Sequence, residues 1–160
     1  MTILERGARL GTLIIALSGL VFAPAALADD RDDVMAFIER YGDLEGDLEA
    51  QASLIRDDRV MITNVRQTNN AKNMQIQMAN RAANNAVAGG EAKWITTIES
   101  PHIAIYGNVA VASFIRMFDI YPPNQEPISG NPQWVTLVLV KEGRDWGIAH
   151  THMSPAGGGN

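Results

Sequence analysis

Val109–Tyr121 reads VAVASFIRMFDIY, and this stretch decides the fold class. Successive side chains of a strand point to opposite faces of its sheet. Ala110, Ala112, Phe114, Arg116 and Phe118 therefore share one face, and Val109, Val111, Ser113, Ile115 and Met117 share the other. A half-solvated sheet alternates apolar with polar residues, whereas this strand is apolar on both sides. Residues 134–141 repeat the pattern, with Val135, Leu137 and Leu139 backing onto Thr136, Val138 and Val140. The two-residue period extends outward to residues 94–99, 102–106 and 146–153. Gly107-Asn108 and Glu142-Gly143 supply hairpin turns, and a loop rich in Pro, Asn and Gly fills 122–132. These segments form a consecutive antiparallel meander.

Upstream the period is helical. Val34, Phe37, Ile38 and Tyr41 recur at i, i+3, i+4 and i+7, with Asp32 or Asp33 placed to cap the helix and Gly42 to end it. A second short helix is expected over 47–57, burying Leu48, Ala52 and Ile55, and a brief strand over 59–63. A third helix is expected over 69–88, where Met74, Met78, Ala82 and Ala86 read as its core stripe and Gly89-Gly90 as its stop. Helices followed by a meander make an α+β domain. Three modest helices cover one face of the sheet, and a second copy of the chain is the simplest cover for the other.

The N-terminus reads as an export signal. Arg6 and Arg9 precede an apolar run over 10–22, and Ala26-Leu27-Ala28 follows as a small-x-small cleavage site. The run is shorter than the ~20 apolar residues needed to span a bilayer. The expected organisation is a signal peptide over 1–28, one domain over 29–155 and a glycine-rich tail over 156–160. The expected location is the periplasm or the cell exterior, with no membrane association after cleavage. The chain has no cysteine, which rules out disulfides, thiolate nucleophiles and a lipid-modified cysteine. A formal net charge of −5 and the lack of any basic stripe argue against nucleic-acid partners.

Pro101-His102-Ile103-Ala104-Ile105-Tyr106-Gly107, then Ala110, Ile115-Arg116, Trp146 and His150-Thr151-His152-Met153-Ser154 form an ordered series. Over residues 101–155 it resembles the association (hub) domain of calcium/calmodulin-dependent protein kinase II and its bacterial relatives. That family belongs to the nuclear transport factor 2-like superfamily, with ketosteroid isomerase and the SnoaL-like proteins. The resemblance implies a cone-shaped, strongly curved antiparallel sheet wrapped around the N-terminal helices, with a pocket between them. It also implies homo-oligomers built by sheet-to-sheet packing. It does not imply kinase activity, because no kinase domain accompanies the series.

Arg116 is the sharpest chemical candidate, a cation set between Phe114 and Phe118 on one strand face. A buried guanidinium demands an anion, which is either a ligand or an internal partner such as Glu39 or Glu99. The resemblance implies that the matching arginine faces the pocket and helps hold small carboxylates. It also implies a further arginine in the penultimate strand, where this chain has Trp134-Val135-Thr136-Leu137, so a multi-arginine clamp is not expected. His150 and His152, two apart, are read onto one face with Trp146 and Ile148, at the pocket or an interface. His102 is the only further histidine, no acidic residue neighbours the pair, and neither a metal nor a cofactor is assigned. Tyr41 and Phe114 complete the candidate ligand contacts. Asp119, Tyr41, Tyr106 and the histidines are the acid/base groups available to an enzyme. Three readings remain open: a homo-oligomeric binding or assembly module whose pocket takes a small molecule such as a small carboxylate, a cofactor-free isomerase, dehydratase or cyclase acting on a hydrophobic carbonyl compound, or a purely structural domain whose pocket is filled by side chains. If the export reading is right, N-terminal sequencing of the secreted or periplasmic protein will give Asp29 as the first residue. A chain still beginning near Met1 would overturn it.

Overall fold

Alternating Ala110, Ala112 and Phe114, each with no exposed surface, fixes which side of the sheet faces inward. The computed structural model describes residues 23–130 and 132–157. The charged and apolar parts of the expected signal peptide, residues 1–22, lie outside the described residues. Helix α1 (Ala23–Asp43) is followed by a 3-10 turn (Leu44–Gly46) and the short helix α2 (Leu48–Ala52). Strands β1 (Ile55–Ile62) and β2 (Arg66–Gln67), helix α3 (Asn70–Ala88) and strands β3 (Lys93–Tyr106), β4 (Val109–Tyr121), β5 (Gln133–Glu142) and β6 (Asp145–Pro155) complete the order. One curved, unclosed sheet runs β2-β1-β6-β5-β4-β3. The meander β3 to β6 is antiparallel throughout, and β1 joins it in parallel along β6.

Helix α1 lies on the inner face. Val34, Ile38 and Tyr41 pack with Ile103, Ala110, Ala112, Phe114, Val135, Leu137, Leu139, Trp146 and Ile148 in one core. Polar ties fix its position. Arg31 Nη1 donates to the Ile103 carbonyl at 2.8 Å, and Lys141 Nζ pairs with Asp30 and, at 4.0 Å, with Asp33.

Several local expectations change. Helix α1 is continuous from Ala23 through Asp43, so Asp32 and Asp33 lie inside it rather than capping it. The second helix stops at Ala52, and the β-branched Ile55 and Val60 go into β1, which begins four residues earlier than expected. Residues 94–99 and 102–106 belong to one strand. The register shift between Glu99 and His102, with Ser100 at φ 50°, is a β-bulge rather than a break. Helix α3 begins as expected, with Asn69 accepting from the Lys72 amide at 2.9 Å. Its methionine stripe is not core, however. Met78 is 40% exposed, and Ala82 and Ala86 are exposed too. The side that faces the sheet instead carries Asn73, Gln77, Arg81, Asn85 and Ala88.

A second bulge decides the histidines. Leu139 pairs with Ile148 but Val138 pairs with His150, so Ala149 is an extra residue in β6. Each face flips there, since the side-chain period of a strand is two. Trp146 and Ile148 point inward, then Thr151 and Met153 do, while His150 and His152 move to the outer face. His102 also lies on the outer face, with Ser113 and Thr136 between it and His152.

The two faces give opposite responses to a charge. Leu139 is fully buried, so Leu139→Glu strands a carboxylate in the core, at a cost of several kcal/mol against a domain stability of ~5–15 kcal/mol. Circular dichroism will show an unfolded or strongly destabilised protein. Val111→Glu, on the outer face, will keep the wild-type spectrum.

Candidate functional site

A cavity of about 230 Å³ lies between α1, α3 and the inner face of the sheet. Tyr41 enters it from the last turns of α1. Glu45 enters from the 3-10 turn, Arg59 and Met61 from β1, Met74, Gln77 and Arg81 from α3, and Arg116 and Phe118 from β4. Each inward direction follows from a local period. In β1, Arg59 and Met61 alternate with the outward Val60 and Ile62, and in β4, Arg116 and Phe118 continue the Ala110–Phe114 series.

Among the described residues, three guanidiniums thus share the cavity with a single carboxylate. Arg81 Nη2 pairs with Glu45 Oε1 at 2.7 Å, and Arg81 Nη1 donates to the Glu45 backbone carbonyl. Arg116 Nη1 reaches Glu45 Oε2 at 3.5 Å, the looser of the two pairs, and its buried Nε has no partner. Gln51 Nε2 donates to Glu45 Oε2 at 3.2 Å and to the Tyr41 carbonyl at 2.9 Å. Arg59 is 4% exposed, and its Nε donates to Asn70 Oδ1 at 3.0 Å. Among the described residues no carboxylate lies within 4.0 Å of Arg59. Aromatic faces hold the other two cations in place, with Arg81 4.4 Å above Trp94 and Arg116 4.6 Å above Phe118.

Burial pulls the Arg59 guanidinium below its ordinary range, opposed by Tyr41; it remains a cation at neutral pH. Burial also pulls Arg81 down, while Glu45 lifts it. The Tyr41 phenol moves above its ordinary 10.0, raised first by burial and then by Glu45, with Arg116 and Arg59 pulling the other way. At neutral pH, therefore, Tyr41 is a neutral hydrogen-bond donor beside three cations.

Of the residues singled out from the sequence, Arg116 and Tyr41 line this cavity. Phe114 lies two residues from Arg116 on the same face but is sealed in the core, and Phe118 is the aromatic at the cavity. His150 and His152 lie on the far face of the sheet. Tyr106 is 67% exposed, and Asp119 accepts from the Gly130 amide at 2.8 Å, tying down the loop after β4. The internal partner of Arg116 is Glu45 rather than the exposed Glu39 or Glu99. The penultimate strand contributes no arginine, yet a cluster of arginines forms, because Arg59 and Arg81 arrive from β1 and α3. The signals for these two were the strand alternation at 59–62 and the polar stripe Asn73, Gln77, Arg81 of α3. Among the described residues no three His, Asp or Glu side chains converge.

The family model of the SnoaL-like domain matches residues 34–157, which includes every residue named in the cavity lining. The chain belongs to the SnoaL-like family. No curated protein sequence matches it. Solved structures share the fold of this SnoaL-like chain at low identity. A nuclear transport factor 2-like protein with a cystatin-like fold from Novosphingobium aromaticivorans superposes with a TM-score of 0.69 at 16% identity, covering 90% of this chain and 94% of that one. The calcium/calmodulin-dependent kinase II hub homology domain of Chlamydomonas reinhardtii gives 0.62 at 18% identity, covering 80% and 99%. The β subunit of benzoate 1,2-dioxygenase from Burkholderia mallei gives 0.66 at 15% identity, covering 78% and 89%. The expected superfamily and the curved-sheet α+β fold are therefore correct.

Tyr41 carries a pH signature. A phenol whose folded pKa is raised contributes stability that is whole below its unfolded value near 10 and is lost as the pH rises through the folded value. Melting curves from about pH 8 to about pH 11 will fall more steeply above pH 10 for the wild type than for Tyr41→Phe. Parallel curves would mean that the phenol is not buried as described.

Proposed function

We propose that this SnoaL-like chain is an exported, self-associating binding domain whose cavity takes a small carboxylate. The observation that carries this reading is the imbalance, among the described residues, of one buried and two largely buried guanidiniums against one carboxylate. Glu45 satisfies Arg81 and reaches Arg116 only loosely, which leaves Arg59 and part of Arg116 for an incoming anion. Arg guanidiniums match carboxylates in geometry, and a buried cation without a counter-ion is expensive, so an anionic ligand is the natural complement. Tyr41 adds a neutral donor. The alternative, an isomerase, dehydratase or cyclase acting on a hydrophobic carbonyl compound, needs a free base beside the substrate. Glu45 is already engaged by two arginines, burial keeps the Tyr41 phenol neutral, and Asp119, Tyr106 and the histidines lie outside the cavity lining, so binding is the stronger reading.

Self-association rests on the outer sheet face. Trp134 is 50% exposed and Tyr106 67%, around a surface that includes Val60, Val111, Ile115 and Val138. An apolar face of this kind, on a sheet covered by helices on one side only, suits a second copy. Export rests on the N-terminal pattern. Asp30, Arg31 and Asp33, which tie α1 to the sheet, all lie after Ala28, so cleavage there would keep these ties.

Calorimetry with propionate and its neutral amide tests the binding reading. The wild type will bind the acid and not the amide. Arg59→Met will weaken binding at least about tenfold, equivalent to ~1.4 kcal/mol, while its thermal midpoint stays level or rises because an unpaired buried cation is gone. A wild type that ignores carboxylates, together with a strongly destabilised Arg59→Met, would sink the proposal. Light scattering on the same preparations tests assembly: the wild type will be a dimer or larger, and Val111→Glu a folded, smaller species. A monomeric wild type would refute self-association.

A further inference from the structure

Beyond the arginines lies a second chamber of about 200 Å³. It is lined by Val87 and Ala88 at the end of α3, Ala92, Ile120 at the end of β4, and Pro122 and Ile128 of the following loop. Among the described residues no charged side chain lines it, and the only polar ones are Asn84 and Gln125, apart from the indole of Trp94. Asn84 and Trp94 line both chambers, so the arginine cavity and this apolar one adjoin at these two side chains.

The second chamber is held open by built-in ties. Ile120 and Ile128 exchange backbone hydrogen bonds at 3.0 and 2.9 Å, which folds the loop back against the end of β4. Asn124 Nδ2 donates to the Ala88 carbonyl at 3.1 Å and so joins the loop to the end of α3. Gly130 lies so close to β4 that a Cβ there would sit 1.6 Å from the Phe118 carbonyl oxygen, and its amide is bonded to Asp119. Apolar surface stays in the open around this preformed hollow, with Val87 80% and Ile128 54% exposed. A small carboxylate held by Arg59 and Arg116 would leave it unused.

We infer that the ligand is an amphipathic carboxylate, its head in the arginine cavity and its apolar tail in the second chamber beyond Trp94 and Asn84. This rests on the carboxylate-binding reading above and narrows it to acids with a hydrocarbon tail. Charge complementarity fixes one end of the ligand, and the lining shared at Asn84 and Trp94 fixes the direction of the other. The apolar lining then sets the chemistry of the tail, since each buried methylene contributes about 0.8 kcal/mol.

The test is a calorimetric series of straight-chain saturated carboxylates from acetate to decanoate on the wild-type protein, with octanol as the uncharged control. Affinity will rise about fourfold per added methylene, the equivalent of about 0.8 kcal/mol, until the chamber is filled. Octanol will bind far more weakly than octanoate. Val87→Asp and Ile128→Asp, both at exposed positions, will flatten the series for the longer acids and leave propionate binding unchanged. If the wild type binds acetate and propionate but affinity does not grow with length, the tail site is wrong and the carboxylate reading stands. The tail site is also wrong if the two variants leave the length dependence intact. If no acid of any length binds, the carboxylate reading itself fails and the inference falls with it.

Discussion

The Glu45 carboxylate, caught between Arg81 and Arg116, ties together three parts of the chain that are far apart in sequence. It sits on the 3-10 turn between α1 and α2, while its partners come from α3 and from β4. Gln51 braces it from α2 and also holds the end of α1 through the Tyr41 carbonyl. The space between helices and sheet would otherwise close on apolar side chains, as it does around Ile38 and Phe114. Here a buried ion cluster prevents that collapse. A buried pair is poor evidence of stability, because desolvation offsets much of its Coulomb gain. Its consequence here is geometric: a polar hollow is kept beneath a sheet whose remaining inner face is close-packed.

Much of this was legible in the chain itself. The two-faced apolar pattern of residues 109–121 and 134–141, the hairpin turns and the helical period around Val34–Tyr41 are local signals, and each yields its element. The same holds for Asn69 and Gly89 at the two ends of α3. What escaped depends on counting or on tertiary context. A one-residue bulge at Ala149 reverses the direction of two histidines, and no local propensity marks it. The Met74–Ala86 stripe looked like core because apolar spacing normally marks the inward side. In α3 the inward side faces a polar cavity, so the polar stripe was the informative one.

The site was half legible for a related reason. Arg116 stands out because its neighbours on the strand are aromatic, and a lone cation in apolar company invites a question. Arg59 and Arg81 have polar or charged neighbours in sequence, among them Asp57, Asp58 and Asn80, and so read as solvated surface. Only the fold brings them into the same hollow. Glu45 was hidden likewise, in a short acidic stretch suited to capping and solvation, though it is 6% exposed. Charge clusters assembled from separate elements leave little trace in linear order.

The extra residue at Ala149 bears on how this family can be compared. A strand that contains a bulge carries two reading frames, one on each side of it. His150 and His152 belong to the second frame, Trp146 and Ile148 to the first. Two relatives that share a His-x-His near the end of the last strand, one with this insertion and one without, would align residue for residue over the motif. In one the imidazoles would meet the surroundings, and in the other they would be packed against the helices. Transferring a role from one such histidine to the other is therefore a matter of counting back to the nearest irregularity, and the motif alone says nothing about it.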